Sequence, residues 1–303
     1  MAYAASLGGL ATLIGTPPTA LLAAFAAESY GIQIGFARWM AIGLPLALVL
    51  GPLTWLLLTR LVFPVRDVGQ SGGRQLIAEH LRGLGPMTAA ERRVGAIFAV
   101  TAALWLLRPM LEELPGLSGL SDTAIALAGG IAMFVVPSGR PEGGRLMEWR
   151  QAATLPWGTL ILFGGGLSLA EAASSTGLAA WIGEALGGLA HMPALLLIAA
   201  VVAVVVFLTE LTSNTATAAA FLPLMGALAV TAGLPPLELM APVALAASAA
   251  FMLPVATPPN AIVFGSGRIE IADMMRAGMW VNMLSILTIS LLIPPLLGLV
   301  FGQ

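Results

Sequence analysis

Two short motifs interrupt apolar segments that would otherwise form long helices. The segment GTPPT occupies residues 15–19, and the closely similar ATPPN occupies residues 256–260. Each proline pair removes two backbone N–H donors and disfavours helical dihedral angles at the threonine before it. We therefore predict two helices that are each broken at a Thr-Pro-Pro, with backbone carbonyls left unpaired around the break.

The composition places these breaks in a membrane. Hydrophobic residues make up 58% of the 303 residues and charged residues only 9%, which is more apolar surface than a soluble domain covers. Hydrocarbon tolerates a broken helix only where the break lies against protein or a water-filled cavity. A matched pair of broken helices in two halves of a chain is typical of transporters that bind their ligand near the bilayer midplane.

Several other classes of protein are disfavoured by what the sequence lacks. It has 0 Cys, its 13 basic residues are all Arg, and its net charge of −2 gives no indication of nucleic-acid binding. The two histidines, His80 and His191, stand alone in apparent loops or helix ends. Catalysis needs a nucleophile or an acid with a base in reach, so we predict neither an enzyme nor a bound cofactor.

The length of each apolar run divides the chain into spans, since about 20 apolar residues are needed to cross roughly 30 Å of hydrocarbon. The predicted spans are residues 2–27 and 237–264, both broken at the Thr-Pro-Pro, and residues 39–63, 94–111, 123–136, 156–174, 192–208, 216–230 and 279–301. Residues 64–92 are polar and Gly-rich, which predicts a linker with one surface helix. Residues 177–189 are too short to span and are predicted to form an amphipathic helix at the interface.

The arginines predict the orientation, because cytoplasmic loops retain them. If the linker at residues 64–92 is cytoplasmic, eleven of the thirteen arginines lie on that side, and only Arg38 and Arg108 lie near the other. The C-terminus is then external. This count requires residues 192–230 to enter and leave by one face, as a re-entrant hairpin. Two full spans with a cytoplasmic tip give the same count, so the arginines leave both arrangements open.

A polar cluster forms the tip of that hairpin. Residues 209–215 read TELTSNT between two apolar arms, at a depth where polar groups are costly unless they face a partner or a ligand. A helix-packing seam is the alternative, but the clustering of Glu210 with Ser, Asn and Thr favours a binding site. Side-chain amides, hydroxyls and the N–H groups of the tip can hold an anion, while carbonyls can coordinate Na⁺. Glu210 is either a structural acid or a part of ion coupling.

Together these motifs resemble the signature of the divalent anion/sodium symporter family, the transporters of di- and tricarboxylates and sulfate. The resemblance covers nearly the whole chain and rests on SNT at residues 213–215 followed by Pro223, on residues 256–260, on LFGGGL at 162–167 and on GGLATLIGTPP at 8–18. It implies an all-α polytopic membrane protein, an inverted-repeat transporter with broken helices and a re-entrant hairpin.

The resemblance also implies the binding residues. In the family, the hairpin Ser-Asn-Thr and the Thr-Pro-Pro break of each repeat jointly hold one Na⁺ and half of the anion. The implied anion-contacting residues are Ser213, Asn214, Thr215, Thr257, Pro258, Thr16 and Pro17, and the implied Na⁺ ligands are Thr209, Thr212, Asn214, Ala256 and Gly15, partly through main-chain oxygens. Na⁺ is then the coupling ion.

The first repeat departs from the family pattern in two ways. Its break ends in Thr19, where the family usually has Asn, so the sequence leaves open whether the two breaks share one geometry. Ser213 precedes Thr257 by 44 residues, and the same spacing would place the partner of Thr16 before the first residue. We therefore expect an incomplete first repeat, and weak or no transport by this chain alone.

The implied organisation has three parts. Residues 1–63 are the end of the first repeat, residues 64–92 are the cytoplasmic linker, and residues 93–303 are the second repeat. The family implies a homodimer in the plasma membrane that works by an elevator mechanism. The predicted function is Na⁺-coupled symport of a C4-dicarboxylate, citrate or sulfate. The alternatives are an anion exchanger or oxyanion efflux permease, and a truncated remnant that transports nothing.

Overall fold

The described part of the chain is helical. The structure, a computed structural model, describes residues 1–64, 81–117, 119–139, 143–155, 157–178, 181 and 192–302. In chain order its helices are α1 (Ala2–Gly9), α2 (Pro17–Tyr30), α3 (Phe36–Leu56, continued by a π-helix at Leu57–Val62), α4 (Ala89–Leu111), α5 (Asp122–Val135), α6 (Trp149–Ala152), α7 (Gly158–Ser175), α8 (Ala194–Thr209), α9 (Asn214–Thr231), α10 (Pro236–Ala247), α11 (Pro258–Phe264) and α12 (Ile271–Phe301).

By length and composition, four of the described helices can cross a membrane. They are Phe36–Val62, Ala89–Leu111, Asn214–Thr231 and Ile271–Phe301. The prediction of an all-α polytopic membrane protein is therefore confirmed. Because α9 is one of the four, it is long enough either to form one arm of a hairpin or to cross the membrane fully. The re-entrant path therefore stays a prediction.

The chain divides into two compact units. One consists of Met1–Pro64 with Trp157–Gln303, and the other is Val65–Pro156. In the second unit α4 packs against α5. The end of α4 is tied to the start of α5 because Trp105 Nε1 donates to the Asp122 carbonyl at 2.9 Å and Arg108 Nε lies 2.8 Å from the Asp122 carboxylate.

Both predicted breaks are present, and both are wider than predicted. The first was placed at Thr16, whereas α1 already ends at Gly9 and residues 10–16 are not helical before Pro17 begins α2. The second was placed at Thr257, whereas α10 already ends at Ala247 and residues 248–257 are not helical. The last span begins at Ile271 rather than at residue 279. Three predicted features lie wholly or partly outside the described residues. They are residues 65–80 of the predicted linker at 64–92, much of the predicted interfacial helix at 177–189, and both histidines.

Each Thr-Pro-Pro serves as a helix start. Thr16 has φ −138° and ψ 144°, and Thr257 has φ −142° and ψ 149°, so both are extended N-cap residues. The prolines that follow occupy the first two helical positions, where the missing N–H has no intrahelical partner to lose and the fixed φ suits the helix. The motif therefore ends one stretch of irregular chain and begins α2 or α11.

The broken helices pack together in the first unit. Helix α1 contacts α11, α2 contacts α10, and α3 contacts α12. Helix α10 is the centre of the packing, since it contacts α2, α8, α9 and α12 and its residues from Leu237 to Ala247 are nearly all buried. The two breaks are thereby held next to each other.

Two glycines let long helices lie directly against the breaks. A Cβ added at Gly43 of α3 would lie 2.3 Å from the Leu10 carbonyl oxygen, and one added at Gly278 of α12 would lie 2.3 Å from the Phe251 carbonyl oxygen. Beside Gly43, Trp39 Nε1 donates to the same Leu10 carbonyl at 3.2 Å. The first break therefore has one of its carbonyls satisfied by α3.

We expect Gly43→Ala to destabilise the protein. The added methyl group would meet backbone atoms that cannot rotate away, and overpacking of this kind costs about 1–3 kcal/mol or more. The matched control is Gly51→Ala in the same helix, where nothing lies within 4 Å of an added Cβ. Melting temperatures in detergent should fall only for Gly43→Ala, and equal melting temperatures would contradict the close contact.

Candidate functional site

A cleft lies where the two breaks meet the tip between α8 and α9. Its volume is about 240 Å³, and it is lined by Ala5, Ser6, Gly9, Gly15, Thr16, Pro17, Pro18, Asn214, Ser248, Thr257, Pro258 and Pro259. Pockets for drug-sized ligands have roughly 300–1,000 Å³. The size of the cleft therefore suits a small ligand, and its polar lining consists of hydroxyl and amide groups.

The cleft brings together six of the residues that the sequence predicted for binding. They are Gly15, Thr16, Pro17, Asn214, Thr257 and Pro258. A larger cavity of about 360 Å³, which includes Tyr3, Phe63 and Arg268, contains none of the predicted residues. We place the candidate site in the smaller cleft because the convergent polar groups are there.

The other predicted residues lie beside the cleft, in the tip and the second break. Ser213 is the N-cap of α9 and accepts from the Ala216 N–H at 3.5 Å. The Thr212 hydroxyl lies 2.9 Å from the Leu208 carbonyl and 2.6 Å from the Thr217 hydroxyl. Thr215 is buried in the first turn of α9. The Ser213 and Thr212 side chains hold the turn itself, and the roles of all three residues as ligands stay predictions.

Three oxygen atoms, one of them from the Asn214 side chain, lie close together. The Thr209 hydroxyl lies 2.8 Å from Asn214 Oδ1 and 2.9 Å from the Ala247 carbonyl oxygen, and Thr209 is fully buried. The three oxygens come from the ends of α8, α9 and α10. Ala247 was not predicted to take part, whereas the predicted ligand Ala256 lies in a turn of the second break, where its N–H donates to the Leu253 carbonyl at 3.2 Å.

Oxygen-only sites of this kind suit hard cations rather than transition metals. Within the described ranges no group of three or more His, Cys, Asp or Glu residues could hold a metal ion. The chemistry of the donor atoms next to the cleft therefore agrees with an alkali cation.

Glu210 binds backbone N–H groups of the second break. Its carboxylate is buried, with the residue 4% exposed, and Oε1 accepts from the N–H groups of Phe251 and Met252 at 2.7 and 2.9 Å. Oε2 accepts from the Leu253 N–H at 3.0 Å, and Asn282 Nδ2 donates to Oε1 at 2.8 Å. All four partners are donors, as a carboxylate requires. Of the two roles that the sequence left open, the structure shows the structural one, which also explains the width of the break.

Thr19 and Asn260, each three residues after its break threonine, bind carbonyls of the segment behind them. Thr19 Oγ1 lies 2.8 Å from the Leu13 carbonyl, and Asn260 Nδ2 donates to the Leu253 and Ala250 carbonyls at 3.1 and 3.3 Å. Thr19 therefore does at the first break what Asn260 does at the second. The prediction that the breaks leave their carbonyls unpaired is wrong for these three.

Ser248 joins the two breaks and was missed by sequence reasoning. Its hydroxyl lies 3.0 Å from Thr16 Oγ1, although 232 residues separate the two in the chain. Ser248 ends α10 and lines the cleft. The only signal in the sequence is a single serine within the apolar run of residues 239–253, which no motif marks.

Apolar helices that are broken around a cleft of hydroxyl and amide groups form the architecture of secondary transporters. The sequence matches the family model of the sodium:sulfate symporter transmembrane region over residues 1–300. The chain therefore belongs to this family, whose members are transporters and not enzymes. It is a multi-pass membrane protein.

Among the relatives are proteins named sodium-dependent dicarboxylate transporter SdcS. The one from Staphylococcus saprophyticus is 43% identical over 303 residues, which cover 98% of this chain and 58% of the relative. The one from Staphylococcus aureus strain USA300 is 43% identical over 302 residues, which cover 99% of this chain and 58% of the relative. The chain thus spans 58% of the length of these relatives.

Proposed function

We propose that the cleft binds a small divalent anion, with a C4-dicarboxylate favoured over sulfate and citrate, and that the protein carries it through the membrane together with Na⁺. The observation that carries the proposal is the meeting of Thr16, Asn214 and Thr257 in one cleft beside a triad of oxygen atoms. The relatives' names, which specify dicarboxylate and sodium dependence, support the choice of anion and of coupling ion.

The anion would be held without an ion pair. The described residues that line the cleft include no arginine. Helices α2 and α9 begin at Pro17 and Asn214, both in the lining, so the positive ends of two helix dipoles lie at the cleft. Because Thr209 engages the amide oxygen of Asn214, the NH₂ group is the part of that side chain left to donate to an anion.

The same asparagine links the anion to the cation. In this proposal Na⁺ binds between Asn214 Oδ1, Thr209 Oγ1 and the Ala247 carbonyl oxygen, and the Thr209 hydroxyl keeps its proton and turns it away from the ion. Binding of Na⁺ then fixes the amide with its NH₂ group toward the cleft. Thr212, Ala256 and Gly15 remain further proposed ligands, and Ser213, Thr215, Pro17 and Pro258 remain proposed neighbours of the anion.

An internal two-fold relation between the broken helices is part of the proposal. We match α1 with α10, α2 with α11, and α3 with α12. Under this matching, the contact of α1 with α11 corresponds to the contact of α10 with α2, and the contact of α3 with α12 corresponds to itself. This set of contacts supports an inverted repeat. The elevator movement, the homodimer, the cytoplasmic linker at residues 64–92 and the external C-terminus are proposed with it.

Sodium dependence tests the proposed function. Succinate should raise the melting temperature of the purified protein in Na⁺ medium and have little effect in choline medium. A ligand at 100 times its Kd stabilises by about 2.7 kcal/mol, which is a measurable shift. Any uptake of labelled succinate into proteoliposomes, which we expect to be weak for this chain alone, should occur only when Na⁺ is present outside.

The other functions give different results. Full uptake in choline medium would favour the exchanger or efflux permease, and Na⁺-dependent binding without any uptake would favour the remnant. Sulfate and citrate, run in parallel, establish which anion binds most tightly.

A further inference from the structure

Ser248 occupies a position from which its hydroxyl proton has more than one acceptor. The residue is 3% exposed and lines the cleft at the end of α10. Its Oγ lies 3.0 Å from Thr16 Oγ1 and 3.2 Å from the Ala244 carbonyl oxygen. A hydroxyl has one proton to donate, so Ser248 serves one of these acceptors at a time.

The bond to Thr16 continues as a chain of hydroxyls. Thr16 Oγ1 lies 3.1 Å from Thr19 Oγ1, and Thr19 Oγ1 lies 2.8 Å from both the Leu13 and the Thr16 carbonyl oxygens. Donation from Ser248 to Thr16, from Thr16 to Thr19 and from Thr19 to one of these carbonyls uses each proton once. Without a ligand, the hydroxyls of Ser248, Thr16 and Thr19 therefore form one chain of hydrogen bonds across the two breaks.

We propose that Ser248 is a further anion-contacting residue of the cleft, in addition to those in the two Thr-Pro-Pro motifs and the tip. An anion oxygen replaces Thr16 as the acceptor of the Ser248 proton. Thr16 is then freed from its bond across the cleft, so ligand oxygens take over the link between the breaks. The inference rests on the proposed function, because it assumes that the cleft takes an anion.

The position also limits the size of the anion. Ser248 is nearly fully buried, and its neighbours Ala249 and Ala250 are buried as well. A methyl group added there by Ser248→Thr would project into the cleft or into its wall while the hydroxyl is kept. We therefore expect Ser248→Thr to retain sulfate binding and to weaken binding of the larger citrate.

The test compares anion binding by Ser248→Ala, Ser248→Thr and Ser290→Ala with that of the parent. Ser290 is an equally buried serine of α12 that lies outside the cleft lining, and its hydroxyl has no hydrogen-bond partner among the described residues. Half-saturating concentrations of succinate, sulfate and citrate are read from melting-temperature shifts in Na⁺ medium. Loss of a hydrogen bond to a charged group should raise the half-saturating concentration about tenfold or more in Ser248→Ala, whereas Ser290→Ala should match the parent.

Retention of sulfate binding by Ser248→Thr together with its loss in Ser248→Ala supports the hydroxyl as the contact. An unchanged or lower half-saturating concentration in Ser248→Ala overturns the assignment, as does equal weakening by Ser248→Ala and Ser248→Thr, which would indicate packing. If the parent binds no anion, the proposed function fails and Ser248 fails with it. If the parent binds and the variants bind equally, only the assignment of Ser248 fails.

Discussion

Glu210→Ala should abolish the stable fold or lower the melting temperature by roughly 10 °C or more. The substitution removes the acceptor of three backbone N–H groups, those of Phe251, Met252 and Leu253, and of the Asn282 amide. Each buried donor that loses its acceptor costs about 1–3 kcal/mol, and whole proteins are stable by only about 5–15 kcal/mol. Thermal unfolding in detergent measures the effect.

A control at a second glutamate and a variant that keeps the size of Glu210 accompany this prediction. Glu238→Ala, in the first turn of α10 and half-buried, removes a carboxylate with no backbone hydrogen bond among the described residues, and it should change stability by about 1 kcal/mol or less. Glu210→Gln keeps the size but turns an NH₂ group toward donors, so it should fall between the two. Equal melting temperatures for Glu210→Ala and Glu238→Ala would contradict the anchoring role.

Asn214→Ala should weaken anion binding by about a hundredfold or more without unfolding the protein. It removes the amide donor from the cleft and one of the three converging oxygens, and a hydrogen bond to a charged partner is worth about 1.5–3 kcal/mol. Loss of the oxygen should also raise the Na⁺ concentration needed for binding. Titration with succinate at several Na⁺ concentrations measures both effects.

The control for this prediction lies at the other end of the same helix. The Thr231 hydroxyl donates to the Ala227 carbonyl at 3.0 Å and lies outside the cleft lining, so Thr231→Ala should bind succinate like the parent. Succinate binding or uptake that survives Asn214→Ala would remove Asn214 from the site and with it the proposed link between anion and cation.

The features that the sequence predicted correctly depend on local chemistry. Proline pairs break helices wherever they occur, so both breaks were predictable from residues 15–19 and 256–260 alone. The polar tip was predictable because polar groups are costly among apolar arms. A segment of five residues is therefore enough to locate each break along the chain.

The features that the sequence did not predict depend on partners far along the chain. Glu210 binds amides that lie 41 to 43 residues away, and without that knowledge the second break could only be placed at its prolines. Ser248 meets Thr16 across 232 residues. Thr19 differs in type from Asn260 yet binds carbonyls in the same way, because a hydroxyl and an amide both donate. Side-chain identity alone does not specify such partners.

The contacts at Gly43 and Gly278 restrict how this cleft can change during evolution. At both positions a long helix touches the backbone of a break with no side chain between them. Glycine has no smaller replacement, so α3 and α12 cannot be brought closer to the breaks, and any larger residue pushes them apart. A descendant of this protein that acquires a different anion must therefore do so through the side chains that line the cleft, with the helices that frame it left in place.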